Sequence, residues 1–174
     1  MAQDVVKYSV IAVGGSAGSL HIILQIIAGL PRQLTAAVVI VVHRKNAADS
    51  ILPNLLATKT GSKVQEVEDK DAIQPGVIYV APADYHLLIE HEHLFSLDAS
   101  EKVNYSRPSI DVTFESIAHV FGNRAIGILL SGANADGARG LSLIKQGNAR
   151  IDFLLNNVQE NVALADTIFA FTPP

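Results

Sequence analysis

The segment Tyr8-Ser9-Val10-Ile11-Ala12-Val13-Gly14-Gly15-Ser16-Ala17-Gly18-Ser19-Leu20 decides how the chain is read. The β-branched run from Tyr8 to Val13 predicts a strand, stopped by Gly14-Gly15. Past the small residues, Leu20, Ile23, Leu24 and Ile27 recur at helical spacing, and Gly29 and Pro31 mark the end of that helix. Ala37 to Val42 is then an unbroken apolar run, as in a strand covered on both faces of a parallel sheet. Farther out, Ile51, Leu52, Leu55 and Leu56 predict a second helix, and Val64–Val67 and Val77–Val80 two more strands. His86–Ile89 and His93–Leu97 read as a hairpin around Glu90-His91-Glu92. Ile110 to Val120 returns to helical spacing, Ala125–Leu130 is a strand, Ser131–Gly140 a glycine-rich loop and Leu141–Lys145 a helix. The order βαβα, a β-rich insert, then αβα predicts an α/β fold. It is expected to be a single domain over residues 1–174, with a mostly parallel, doubly wound sheet and a small β-hairpin insert.

Composition narrows the function classes. A chain of 174 residues, 49% hydrophobic, is long enough to bury about 70% of its unfolded surface in one core. Thirteen basic residues against 17 acidic give a net charge of -4, which argues against a nucleic-acid partner. The absence of cysteine removes disulfides, iron–sulfur clusters, thiolate zinc sites and cysteine nucleophiles. The longest wholly apolar run is Ala36–Val42, far short of the roughly 20 residues of a spanning helix, so no membrane insertion is expected. Met1-Ala2-Gln3-Asp4 does not begin a secretory signal, and a cytoplasmic location is the expectation.

Three segments carry residues suited to chemistry. Gly14-x-Ser16-x-Gly18 has the spacing of a nucleophile elbow, where tiny flanking residues let a serine hydroxyl stand exposed between strand and helix. The same turn also reads as a serine N-cap, or as a glycine loop approaching a phosphate or dinucleotide. A dinucleotide site wants an acidic residue at the end of the second strand. This chain has His43 there, followed by Arg44-Lys45, a basic pair suited to a 2′-phosphate. His43 is equally a histidine within reach of a serine on the neighbouring strand. Asp136, in Ser131-Gly132-Ala133-Asn134-Ala135-Asp136-Gly137, falls where a parallel sheet gathers ligand groups, although such loops also use aspartate simply to turn. The order Ser…His…Asp is not that of the α/β-hydrolases.

Other residues draw weaker readings. His91 and His93, two apart, are read as a solvated hairpin rather than a metal site. His21 and His119 lie on helical patterns, and Arg107-Pro108 reads first as a loop anchor.

With these segments in view, the chain resembles the catalytic domain of the chemotaxis protein-glutamate methylesterases, from about Tyr8 to Gly147. The match includes Val42-His43, Glu66-Val67-Glu68-Asp69, Pro75 to His86 with its Ala81-Pro82-Ala83-Asp84-Tyr85-His86, and Asn104-Tyr105-Ser106-Arg107-Pro108-Ser109-Ile110-Asp111. The resemblance implies Ser16 as nucleophile, His43 as base and Asp136 as third member of a triad, with no metal or cofactor. It gives His86 and Asp84 a structural role near the site. It implies methylated chemoreceptor cytoplasmic helices as substrate, with glutamine deamidation as a companion reaction in some relatives. In that family a receiver domain precedes the catalytic one. Here the first predicted strand starts at Tyr8, so no receiver domain is expected, and activity is expected to be constitutive or controlled by a separate regulatory protein or by fusion elsewhere in the pathway. Ala133 stands where many relatives carry methionine, the segment after His43 lacks a proline common in the family, and the likeness fades beyond Gly147. The alternatives are an NADP-like nucleotide-binding protein using Gly14–Ser19, and a non-catalytic relative that docks on receptors.

Overall fold

The computed structural model describes residues 10–44, 51–130 and 134–146, and the backbone of 150–154. In chain order the elements are β1 (Val10–Ser16), α1 (Leu20–Gly29), β2 (Ala37–His43), α2 (Leu52–Ala57), β3 (Lys63–Glu66), β4 (Val77–Val80), β5 (His86–Ile89), β6 (Phe95–Asp98), α3 (Ile110–Phe121), β7 (Ala125–Leu130), α4 (Ala138–Gln146) and β8 (Arg150–Leu154). Six strands form one sheet in the order β3-β4-β2-β1-β7-β8, every neighbouring pair parallel. β5 and β6 make a separate antiparallel hairpin. The fold is therefore α/β with a mostly parallel sheet and a small hairpin, as the sequence pattern predicts.

Apolar side chains cover both faces of the central strands, which is why their sequences run unbroken rather than alternating. On one face Val10, Ala12, Val39 and Val41 pack with Ile110, Phe114, Ile117 and Leu141 from α3 and α4. On the other, Ile11, Val13, Val38, Ile40 and Val42 pack with Ile23, Ile26 and Ile27 of α1 and Leu56 of α2. The hairpin is fastened to α3 by polar bonds: Thr113 Oγ1 donates to the Leu87 carbonyl at 2.7 Å, and Ser116 Oγ accepts from Ile89 N at 3.1 Å.

Several local expectations shift. β1 does not stop at Gly14 but runs on to Ser16, with Gly14 and Gly15 paired to Val41 and Val42. These glycines keep extended backbone, and at Gly14 the need is for space. A Cβ there would lie 2.5 Å from Ile110 Cγ2. The buried stripe of α1 is Ile22, Ile23, Ile26 and Ile27, with Leu20 and Leu24 at its margin. Ile51 precedes α2 and is 68% exposed. α4 begins at Ala138, inside the stretch read as loop, because Gly140 lets it approach α3 closely. A Cβ on Gly140 would meet Phe114 Cβ at 2.5 Å. His91 and His93 lie in the turn between β5 and β6 rather than on one strand face, and the His93 ring leans on Phe121 at 5.0 Å. β8, paired in parallel with β7, is a strand that the sequence reading does not name.

Space and conformation make opposite predictions at two glycines. Gly14→Ala forces Ile110 to move and should destabilise by about 1–3 kcal/mol. Gly29, the last residue of α1, has nothing within 4 Å of a built Cβ. Gly29→Ala should therefore stabilise by up to about 1 kcal/mol. Urea midpoints of the two variants check both signs, and a neutral Gly14→Ala would refute the packing argument.

Candidate active site

Sheet register makes Ser16 and His43 neighbours, since β1 and β2 pair from Val10↔Ala37 through to Ser16↔His43. Side chains alternate along a strand. Ser16 therefore follows Val10, Ala12 and Gly14 onto the face that α3 covers, and His43 follows Val39 and Val41 onto the same face. Both stand at carboxyl ends, and β7, which precedes Asp136, lies on the other side of β1. The chain builds outward from β1 through β2 and β4 on one side, then returns through β7 to β8 on the other. Parallel α/β sheets present their ligand groups at such a reversal.

Ser16 is not held in a strained elbow. Its φ of -94° and ψ of 174° are ordinary extended backbone, and the helical segment begins after it with the single turn Ala17–Ser19. Nor does its side chain cap that segment. Gly18 leaves room beside it: a Cβ there would lie 3.7 Å from Ser16 Oγ.

Asp136 is 4% exposed and is the most heavily bonded side chain of the site. Its Oδ2 lies 2.6 Å from His43 Nε2 and accepts from Ile110 N at 2.6 Å. Its Oδ1 accepts from Ser109 Oγ at 2.7 Å and from Asp111 N and Asn104 Nδ2 at 3.1 Å each. The acid thus sits on the first amides of α3, where the helix end favours negative charge. Burial pushes the carboxyl up, but the bonds from His43, Ser109 and the Asp111 and Ile110 amides outweigh it and hold it at about 2. Being ionised, Asp136 only accepts, so His43 Nε2 carries the hydrogen between them.

A supporting shell lies behind this contact. Ser109 is the N-cap of α3, its Oγ accepting from Val112 N at 3.4 Å. His86 is buried with both ring nitrogens engaged: Nδ1 accepts from Ser109 N at 3.2 Å, and Nε2 donates to the Glu101 carbonyl at 2.9 Å. Asp111 accepts from Gly140 N at 2.7 Å and joins α3 to α4. Arg107 anchors its loop through the carbonyls of Ala99 and Ser100. Arg44, one of the basic pair read as a 2′-phosphate acceptor, is engaged instead with the Glu66 carboxylate and the Ala81 carbonyl. Lys45, Ser131–Ala133 and the segment beyond Leu154 lie outside the described residues.

Ser16, His43 and Asp136 are thus brought to one end of three adjacent strands. Sequence reasoning assigns no role to Ser109, Asn104 or Asp111. The signal was present in Asn104–Asp111, with a serine just ahead of an apolar helical stretch, the pattern of an N-cap.

A carboxyl held below its ordinary value contributes stability above pH 4 and loses it as pH falls through about 2. The shift from 3.8 to about 2 corresponds to roughly 2 kcal/mol. Asp136→Asn should lower stability at pH 7 by about that amount, and its difference from the wild type should shrink between pH 4 and 2. Denaturant midpoints across that range check it; a difference independent of pH would place the effect elsewhere.

A protein of Leptospira interrogans is 43% identical over 140 residues, covering 80% of this chain and 72% of its own length. A protein-glutamate methylesterase/protein-glutamine glutaminase of Methanosarcina acetivorans is 33% identical over 150 residues, which is 82% of this chain and 42% of the relative. The protein-glutamate methylesterase FrzG of Myxococcus xanthus is 33% identical over 143 residues, 82% of this chain and 43% of the relative. The chain spans less than half the length of these last two. The crystal structure of the Thermotoga maritima CheB methylesterase catalytic domain superposes with a TM-score of 0.78 at 29% identity, covering 83% of this chain and 78% of that one. Residues 11–155 match the family described as CheB methylesterase, and the chain belongs to that family of enzymes.

Proposed function

We propose that the chain is a serine hydrolase that removes methyl esters from glutamate side chains of chemoreceptors. The observation that carries this is the 2.6 Å contact of His43 with Asp136, at the register position directly beside Ser16. With Nε2 committed to Asp136, Nδ1 is the nitrogen left to take the serine proton. Ser16 Oγ attacks the γ-ester carbonyl as His43 accepts that proton. The tetrahedral intermediate then expels methanol, which takes the proton back from His43, and leaves an acyl-serine. Water, deprotonated by the same imidazole, releases the free glutamate. Asp136 fixes the ring and stabilises its cationic form without taking the proton, in keeping with a carboxyl held at about 2. Amides at the start of the helical segment after Ser16 would receive the developing oxyanion.

No step calls on a metal or cofactor. The relatives' paired name, methylesterase and glutaminase, supports a second leaving group: ammonia from glutamine by the same acyl-serine route. The substrates are the cytoplasmic helices of methylated receptors, met in the cytoplasm. Among the described residues no helix is long and apolar enough to cross a membrane.

The test is methanol release from methylated receptor membranes, with Ser16→Ala as control. Ser16→Ala should fold normally and lose essentially all Ser16-dependent turnover. A folded Ser16→Ala protein with wild-type turnover would overturn the assignment.

A further inference from the structure

The loop before α3 carries a feature that the triad does not require. Val103 and Ser106 pair with each other across a two-residue turn, Val103 N to Ser106 O at 3.1 Å and Ser106 N to Val103 O at 2.9 Å. Both central residues are left-handed, Asn104 at φ 50° and Tyr105 at φ 62°. Asparagine tolerates that region, while a bulky residue enters it only against resistance. The turn is locked from outside by Asn134 Nδ2, which donates to the Asn104 carbonyl at 3.1 Å, and from within by Ser106 Oγ, which donates to the same carbonyl at 3.3 Å.

This geometry sends the Asn104 side chain inward, against two acid side chains. Its Nδ2 lies 2.8 Å from Asp111 Oδ2 and 3.1 Å from Asp136 Oδ1. Both neighbours are carboxyl oxygens, and Asp136 Oδ1 also accepts from Ser109 Oγ and Asp111 N, so the atom facing them is the NH₂ group, which has one hydrogen for each. Asp111 and Asp136 are both buried, 7% and 4% exposed. Two buried acids in one site repel unless donors stand between them. The other titratable groups brought to this pair by neighbouring elements are His43 from β2, bonded to Asp136, and His86 from β5, one bond removed through Ser109 N. Arg107 shares the loop, but its Nη1 is spent on the carbonyls of Ala99 and Ser100. Among the described residues bonded to Asp136, Asn104 alone also donates to the side chain of Asp111.

We propose that Asn104 is a positioning residue, holding Asp136 in its His43-binding pose beside a second buried acid by donating one amide hydrogen to each. It acts through Asp136. The inference rests on the triad reading for its effect on turnover, and on geometry alone for its effect on Asp136.

Two substitutions keep the turn and change only the side chain. Glycine adopts positive φ freely, so Asn104→Gly removes the amide without straining the backbone. Aspartate also tolerates the left-handed region, so Asn104→Asp replaces the donor with a third acid. In Asn104→Gly the carboxyl titration of Asp136, followed by ¹³C NMR and identified by its loss in Asp136→Asn, should rise by about one unit. In the same variant kcat should fall about tenfold, with KM little changed. In Asn104→Asp the ratio of variant to wild-type kcat should rise as pH is lowered from 8 to 5, because the new acid donates only once protonated. That pattern separates positioning from support of the turn, which both variants preserve. An Asp136 titration unmoved in both variants would overturn the proposal, as would a pH-independent kcat ratio in Asn104→Asp. If the wild type shows no Ser16-dependent hydrolysis, the triad reading fails by itself, and the titration still decides the role of Asn104.

Discussion

A buried carboxylate tolerates its position only when its lone pairs are satisfied, and Asp136 is the group on which this end of the molecule is organised. Among the described residues it accepts from His43, Ser109, Asn104 and the amides of Ile110 and Asp111. Three of those donors belong to the start of α3, so the acid can exist only where that helix begins. The position of α3 is in turn set by core packing. Ile110 and Phe114 press against the space left by Gly14 on β1, and Phe114 against that left by Gly140 on α4. Packing places the helix, the helix end places the acid, and the acid orients the imidazole.

The hairpin β5–β6 belongs to the same chain of cause. It looks like an ornament on a parallel sheet, yet its first residue, His86, is buried between Ser109 N and the Glu101 carbonyl. A neutral ring with one donor and one acceptor fits those two partners, and a protonated ring would present a donor to the Ser109 amide. The insert thereby ties both ends of the loop Glu101–Ser109, the loop that delivers Asn104 and the helix cap. Thr113 and Ser116 fix the hairpin to the side of α3, so loop and helix are held as one support.

What could be read from sequence follows the range of the physics involved. β2 and β7 were legible because a strand covered on both faces is apolar throughout, and Ser16, His43 and Asp136 because each follows such a run. Gly14 misled, since a glycine chosen for space looks the same in sequence as one chosen for conformation. Gly140 misled similarly: glycine costs about 1 kcal/mol in a helix, so it reads as loop until Phe114 is seen against it. Strand order, β8 and the partners of Asp136 other than His43 were not legible, because they depend on contacts between residues far apart in the chain. The bond between Asn104 and Asp136 spans 32 positions, and that between His86 and Ser109 spans 23. No local pattern encodes them, although the segments holding these residues were noticed as unusual.

The parallel sheet also accounts for how His43 divides its two nitrogens in the proposed mechanism. In the familiar serine-protease arrangement Nδ1 faces the acid and Nε2 the serine. Here Nε2 faces the acid. Neighbouring strands lie about 4.8 Å apart, so an in-register serine stands close to the histidine backbone. Asp136 arrives from beyond the end of β7, across β1 and on the far side of the serine strand, and only the outer nitrogen extends that far. The acid thus takes the outer nitrogen, and the proposed mechanism assigns the inner one to the serine. In the proposed mechanism the inner nitrogen is then the one that faces the strand pair carrying Ser16, so the reversed assignment follows from where β7 delivers the acid.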